Sequence, residues 1–469
     1  MWISEESPRG RKSWKGRKRH SRKERKNGKM SEIHFSMIIS TKNSGISAKE
    51  LGTSAKQLES YRRHLVNVRE KSEFDDLECS INLPFSTHID AILERAEGYR
   101  TKQLKIVVVI GIGGSNLGTQ AVYDALPRKN VEMLFLDTVS STHFSLVLEK
   151  LTKQLKNKKQ FLIVSISKSG GTTETMANTE ALLAALKKLY KDVRDRLVVI
   201  SDDGSKFFEA AKKQKIDHLG IPAKVGGRYS VFSAVGLFPL AVAGYDVRKL
   251  VEGARGAVED GLLGDTAQNH ALVSAYATYA HAKKGRSIHN TFLFAPELES
   301  LGKWYRQLMG ESVGKEKDLD GHVVHAGITP IVSIGSTDLH SMAQLYFGGP
   351  DDKFTNIISI ARTPSFMKEG AGGGRVPSKL LFPNMVEHLP GKSLDELMSE
   401  IVGGVTATYQ KLKRPFLSIE LEAVSEKELG YYLQFRMVEM MYLAQLMSVN
   451  AFDQPAVEGY KVETKKRLM

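Results

Sequence analysis

Twice in the first half of the chain a short apolar run ends abruptly in glycines and hydroxyls, and a helix-forming segment follows at once. The first run is Lys105-Ile-Val-Val-Val-Ile110, leading into Gly111-Ile112-Gly113-Gly114-Ser115-Asn116-Leu117-Gly118. The second is Phe161-Leu-Ile-Val-Ser-Ile166, leading into Ser167-Lys168-Ser169-Gly170-Gly171-Thr172. Runs this short, rich in β-branched residues and bounded by turn formers, suit strands buried on both faces rather than helices. Further strands are expected at 131–137 and 196–201, with helices between them, at the spacing of βαβ units. That alternation predicts a parallel sheet with helices on both sides. It resumes downstream, with strands at 287–294, 329–334 and 354–360. Helices are expected there at 297–308, 336–347, 393–412 and 425–449. Two α/β blocks follow from this, at 100–260 and 261–450, after a helical segment at 30–99 and before a C-terminal helical segment at 451–469. Gly370–Gly374 reads as a flexible surface loop.

Charge narrows the possible partners. The formal net charge is +14, but residues 1–30 hold 12 of the 67 basic residues against three of the 53 acidic ones. The remainder, 55 basic and 50 acidic, is only mildly basic. Residues 1–29 are almost devoid of apolar side chains and are expected to be a disordered basic tail. It is either a polybasic arm for an acidic partner such as nucleic acid or, as favoured here, an extension without a role. The longest nearly uncharged apolar stretch, Val231–Gly244, is shorter than the ~20 residues a membrane helix needs, and it contains Pro239. Cys79 is the single cysteine, which excludes intrachain disulfides and cysteine-cluster metal sites. No secretory signal is recognisable, so a cytoplasmic protein is expected.

The loop at Ser167–Thr172 carries the clearest chemistry. Glycines let the backbone approach an anion, serine and threonine offer hydroxyl donors, Lys168 offers charge, and the helix that follows offers free N–H groups. A small phosphorylated ligand fits such a loop. Gly111–Gly118 has the spacing G-x-G-x-x-x-x-G, which matches the dinucleotide fingerprint only loosely. Its other readings are an anion nest at Gly114 and Ser115, or a tight turn. Arg228, in Gly226-Gly227-Arg228-Tyr229-Ser230, stands just before an apolar helix that Ser230 or Ser233 can cap; it could meet an oxyanion or form a surface ion pair. Glu311, in Gly310-Glu311-Ser312-Val313-Gly314-Lys315, could be a general base or a solvated glutamate. His340, in Asp338-Leu339-His340-Ser341, could be an acid or a surface histidine.

Taken in order along the chain, these motifs and the closing Gln454-Pro-Ala-Val-Glu-Gly-Tyr-Lys461 closely resemble the glucose-6-phosphate isomerase (phosphoglucose isomerase) family, in its shorter bacterial form. The resemblance runs from about residue 100 to 461. It implies two sugar-isomerase domains, each a mainly parallel sheet flanked by helices. It also implies a homodimer that works without metal or cofactor on a small sugar phosphate. The implied reaction is the reversible isomerisation of glucose 6-phosphate to fructose 6-phosphate, by ring opening and proton transfer through a cis-enediolate. On this likeness Glu311 is the base that moves the proton between C2 and C1, and Arg228 stabilises the enediolate. His340 and Lys461 serve ring opening. Gly114, Ser115, Ser167, Lys168, Ser169, Gly170, Gly171, Thr172, Gln307 and Gln454 hold the substrate. Gly171 stands where some relatives carry threonine. The segment between Glu311 and His340 is longer than in the shortest relatives and contains His322 and His325, either of which could take the place of His340. A non-catalytic sugar-phosphate-binding protein would need the Ser167–Thr172 loop but not Glu311, Arg228, His340 and Lys461 together. Mannose 6-phosphate isomerisation is a further possibility on the same fold.

Overall fold

Ile106–Ile110 consists entirely of β-branched residues, and every one is buried. The same holds for the burial of Phe161–Ile166, the strand beside it. The computed structural model describes residues 37–361, 374–383 and 385–469, together with the backbone of 22–26 and 29–33. Those two apolar strands sit at the centre of a five-stranded parallel sheet. Its order is Glu132–Leu136, Ile106–Ile110, Phe161–Ile166, Leu197–Asp202 and Asp217–Ile221. In chain order this is a 2-1-3-4-5 winding. It reverses direction between Ile106–Ile110 and Phe161–Ile166, and the crevice beyond the carboxyl ends of two such strands is where open α/β sheets bind ligands. The loops that leave those ends are Gly111–Gly118 and Ser167–Thr172.

The second sheet repeats the winding. Its order is Thr329–Ile334, Ile288–Leu293, Lys353–Ile360 and Phe416–Leu421, all parallel, with Met37–Ser40 antiparallel at the edge. Both sheets belong to one compact unit, Met37–Met469. Its largest apolar core takes in residues of both, among them Val107, Leu162, Leu293, Ile358 and Leu417. The helix Ala234–Ala243 is apolar on all sides and buried at every residue; Ser233 caps it, accepting from the Val235 N–H. The helix Glu426–Leu446 is similarly enclosed, packed on Val247–Gly261 and His270–Lys283.

Several elements depart from the sequence-based expectation. Met37–Ser40 is a strand within the segment expected to be helical; the helices there are Ala48–Lys71 and His88–Glu97. Four residues are too few to carry a period, and the strand exists because Phe416–Leu421 pairs with it. Residues 336–347 form no single helix. The side chain of Asp338 accepts from the Ile334 N–H and the Ser341 hydroxyl, and the chain folds into a 3-10 turn, Thr337–Leu339, before a short helix, Ala343–Gly348. Within the expected disordered tail, Arg22–Lys26 pairs antiparallel with Lys29–Ile33. The rest of the tail, and residues 370–373 of the glycine loop, lie outside the described residues. No helix among the described residues is long and apolar enough to cross a membrane.

Candidate active site

Glu311 lies in the last turn of the helix Glu299–Val313, and both its carboxylate oxygens are held. Oε1 accepts from Gln307 Nε2 (3.1 Å), one turn earlier on the same face. Oε2 accepts from Arg228 Nη1 (3.2 Å). The Arg228 side chain is almost fully buried, whereas that of Glu311 is 30 % exposed, so the pair opens to solvent only on the glutamate side.

Arg228 commits its whole guanidinium to the protein. Nε donates to Ser312 Oγ (2.9 Å), and Nη1 donates to Glu311 and to Gln454 Oε1 (2.8 Å). Nη2 donates to the carbonyls of Ala451 and Asp453. These five bonds match the five N–H groups of an arginine. A planar fork of this kind cannot be replaced by a lysine.

Two glycines bring the first sheet's loop into this cluster. Gly113 has φ +58°, and a Cβ there would lie 2.8 Å from Gln307 Nε2. Gly114 faces the backbone of Gly227, and Ser230 Oγ bonds the Gly227 carbonyl (2.7 Å). Ser115 closes a 3-10 turn, Gly113–Ser115, before the helix Leu117–Ala125.

The Ser167–Thr172 loop leaves the neighbouring strand. Ser167 Oγ and Thr172 Oγ1 are 3.0 Å apart, and the Gly171 N–H donates to Ser169 Oγ (3.3 Å). Gly170 has φ +67° and sits against the Phe207 backbone. Thr172 is the N-cap of the helix Thr173–Tyr190, yet its side chain makes no capping bond, so the first-turn N–H groups of this 18-residue helix are left to another acceptor. Lys168 Nζ donates to the Ala223 carbonyl (2.7 Å), which pins its ammonium beside the loop. Burial pushes the carboxyl of nearby Asp202 up to about 6, against the pull of Lys168.

A family description of phosphoglucose isomerases matches residues 85–468. The chain belongs to the phosphoglucose isomerase family. It is 32% identical over 355 residues to the glucose-6-phosphate isomerase of Methanocaldococcus jannaschii, covering 76% of this chain and 82% of that one. With the enzyme of the same name from Rubrobacter xylanophilus it shares 33% identity over 394 residues, 81% of this chain and 86% of the other. Among solved structures, a hypothetical protein from Thermus thermophilus superposes with a TM-score of 0.82 at 29% identity, over 92% of this chain and 99% of that one. A glucose-6-phosphate isomerase from Chlamydia trachomatis has the same fold, with a TM-score of 0.77 at 19% identity, over 92% and 88% of the two chains.

For the phosphoglucose isomerase motifs, the structure brings together Arg228, Glu311, Gln307, Gln454 and the turn at Gly113–Gly114. Among the described residues neither His340 nor Lys461 bonds to this cluster. His340 is exposed at the end of the 3-10 turn Thr337–Leu339, and Lys461 pairs with Glu458 on the C-terminal helix. His322 is exposed and bonded to Asp318 (3.2 Å), and His325 is exposed with φ +45°. Both lie on or beside the small hairpin Lys315–Lys317 and Val323–Ala326. Three contributors escaped the sequence reading. Ser312 receives Arg228 and contacts the Tyr229 hydroxyl (3.0 Å), and Lys315 bonds Asp453. Ser312 and Lys315 belong to the same stretch as Glu311, but nothing in a linear pattern says which way a helix end faces.

Proposed function

We propose that this chain interconverts glucose 6-phosphate and fructose 6-phosphate through a cis-enediolate. The observation that carries this reading is Glu311, a half-open carboxylate whose two oxygens are oriented by Gln307 and Arg228. It belongs to a cluster that takes in the loop leaving the strand at the first sheet's switch point. A carboxylate fixed this way takes the proton from C2 of the open-chain sugar, which leaves the enediolate, and returns it to C1 on the same face. The arginine beside it holds its charge in place before the reaction, and its N–H groups are already bonded. Its contribution to the enediolate is therefore a preorganised field rather than a new hydrogen bond.

The 6-phosphate sits on the Ser167–Thr172 loop. Hydroxyls of Ser167, Ser169 and Thr172, the close backbone approach that Gly170 and Gly171 allow, the Lys168 charge and the uncapped start of Thr173–Tyr190 all suit a phosphate. Gly114 and Ser115 line the sugar from the neighbouring loop, and Gln307 and Gln454 from the helix end and the C-terminal segment. His340 and Lys461 handle the ring-opening protons, one at the ring oxygen and one at the C1 hydroxyl. The loop fixes the substrate at one end, so the carbons that react are presented to Glu311 without a search. The same reading assigns a cytoplasmic homodimer. Its support is the family likeness and, for the compartment, a lone cysteine, Cys79, that is buried.

The test is a coupled assay for fructose 6-phosphate with the full chain in the presence of EDTA. Turnover supports the reading and its lack of a metal; no turnover removes it. Mannose 6-phosphate assayed in parallel measures how strictly C2 configuration is read.

A further inference from the structure

Lys315 is a buried lysine, its side chain 5% exposed, and the proton transfer has no use for it. Its ammonium makes three hydrogen bonds: to the Glu311 carbonyl (2.8 Å), to the Asp453 carbonyl, and to Asp453 Oδ1 (2.9 Å). An ammonium has three N–H groups, so none is left over. The bond to Glu311 satisfies a carbonyl in the last helical turn, where intrahelical partners are missing and a cation is favoured. The other two reach a residue 138 positions further along the chain.

Asp453 is gripped from a second side. Its carbonyl also accepts from Arg228 Nη2 (3.2 Å), and the other Nη2 bond goes to Ala451. Two buried cations from different parts of the chain thus hold residues 451–453. The next residue, Gln454, accepts from Arg228 Nη1 at its Oε1. Beyond it the chain makes a 3-10 turn, Pro455–Val457, and then the helix Glu458–Arg467, which carries Lys461. That helix has no buried residue of its own. The joint at 451–454 is accordingly a firm hold on it.

We propose that Lys315 is a positioning residue: through Asp453 it fixes the joint from which the C-terminal helix, with Lys461, is presented to a substrate held at Glu311. This rests on the assignment of Glu311 and Lys461 to one reaction. The lysine acts on helix placement, not on the reacting atoms. It links the carbonyl end of Glu311 to the segment that delivers Lys461, so the two are set by one side chain.

Lys315→Met and Asp453→Asn test it, the second keeping the Asp453 carbonyl and changing a side chain that is half exposed. Hydrogen exchange of the unliganded protein reads the tether without reference to activity. Exchange over 454–467 is expected to rise at least about tenfold in both variants, while 426–446 stays as in the wild type. In steady state, kcat for glucose 6-phosphate falls about tenfold or more with KM changed less than about threefold. Proton exchange at C1 of 5-deoxyfructose 6-phosphate, which cannot close its ring, stays within about threefold of wild type, because only ring opening needs Lys461. The double variant is no worse than either single one, as for two ends of one link. Wild-type exchange and kcat in both variants overturn the proposal. Equal losses on the cyclic and open-chain substrates also overturn it, since they mark general damage. If the unmodified chain lacks turnover, it is the reading of the reaction that has failed, and the hydrogen-exchange result still judges the tether.

Discussion

A methyl group on the α-carbon of Gly114 would lie 2.1 Å from the carbonyl carbon of Gly227. The obstructing atoms are backbone, including the Arg228 nitrogen at 2.5 Å, so no side-chain rotation relieves the clash. Gly114→Ala is therefore expected to push the 226–230 turn outward and carry Arg228 with it. Overpacking of this kind costs about 1–3 kcal/mol, and a displacement of about 1 Å at a positioning group costs on the order of 100-fold in kcat. Thermal melts and kinetics measure both. The contrasting change is Gly403→Ala, in the interior of the helix Leu394–Lys411, where a Cβ meets nothing within 4 Å. That variant is expected to gain about 0.5–1 kcal/mol from helix propensity. Equal effects at the two sites would refute the close approach.

Glu311→Gln keeps the shape but removes the proposed base and one of the two acceptors that Gln307 and Arg228 meet. Turnover is expected to fall by about 10²–10⁴ or more, with sugar-phosphate binding by calorimetry retained. The loss of deuterium exchange at C2 is the more direct readout. An enzyme that still exchanged at the wild-type rate would place the base elsewhere.

Arg228→Lys preserves charge but supplies three donors where five acceptors wait. At least two of these five bonds are lost, although the Asp453 carbonyl keeps Lys315 as a donor and Ser312 keeps Tyr229 as a partner. We expect kcat to drop by about 10² or more, with a clear loss of stability, measured by urea unfolding. A variant with wild-type kcat would show that charge alone suffices.

Lys168→Gln tests the proposed phosphate end of the site. A cation that binds phosphate equally in ground and transition states raises KM and leaves kcat nearly constant. An increase of about tenfold or more in KM for the phosphorylated sugar is expected. A pure kcat effect would remove Lys168 from the phosphate site.

Among the buried histidines, with His270 acting in the same sense, His289 ties stability to acid. Its ring is fully buried between Tyr305 and Phe354, and burial, with Arg436 adding, depresses its pKa to about 3. The unfolded chain takes up this proton near pH 6.5, the native protein only near 3. The native state therefore binds fewer protons across that window, and stability falls as pH falls through it. Between pH 7 and 5 the contribution is on the order of 2 kcal/mol. Asp202 and Asp260 are raised to about 6 by burial and work in the opposite sense, so the test is a difference. His289→Gln is expected to lose less stability than the wild type between pH 7 and 5, by urea midpoints. Identical pH dependences would mean that His289 is not held neutral.

The sheets and the chemistry differ in how far a linear pattern reaches. Five β-branched residues at Ile106–Ile110 announce a buried strand because burial on both faces erases alternation. Met37–Ser40 and Asp217–Ile221 announce nothing, since their pairing with Phe416–Leu421 and Leu197–Asp202 is what makes them strands. The motif residues Gly114, Arg228, Gln307, Glu311 and Gln454 were legible, and they meet. Their shared partners were not, because Ser312, Lys315 and Asp453 matter through the direction of one helix end and one loop. Asp338 shows the same limit: its side chain ends an expected helix by bonding backward to Ile334.

Arg228 touches Gln454 across 226 positions of sequence, and Lys315 touches Asp453 across 138. No short segment of the chain holds both partners of either contact. The enzyme's competence is therefore a property of the finished tertiary structure, and no fragment that ends before residue 453 can carry the whole cluster.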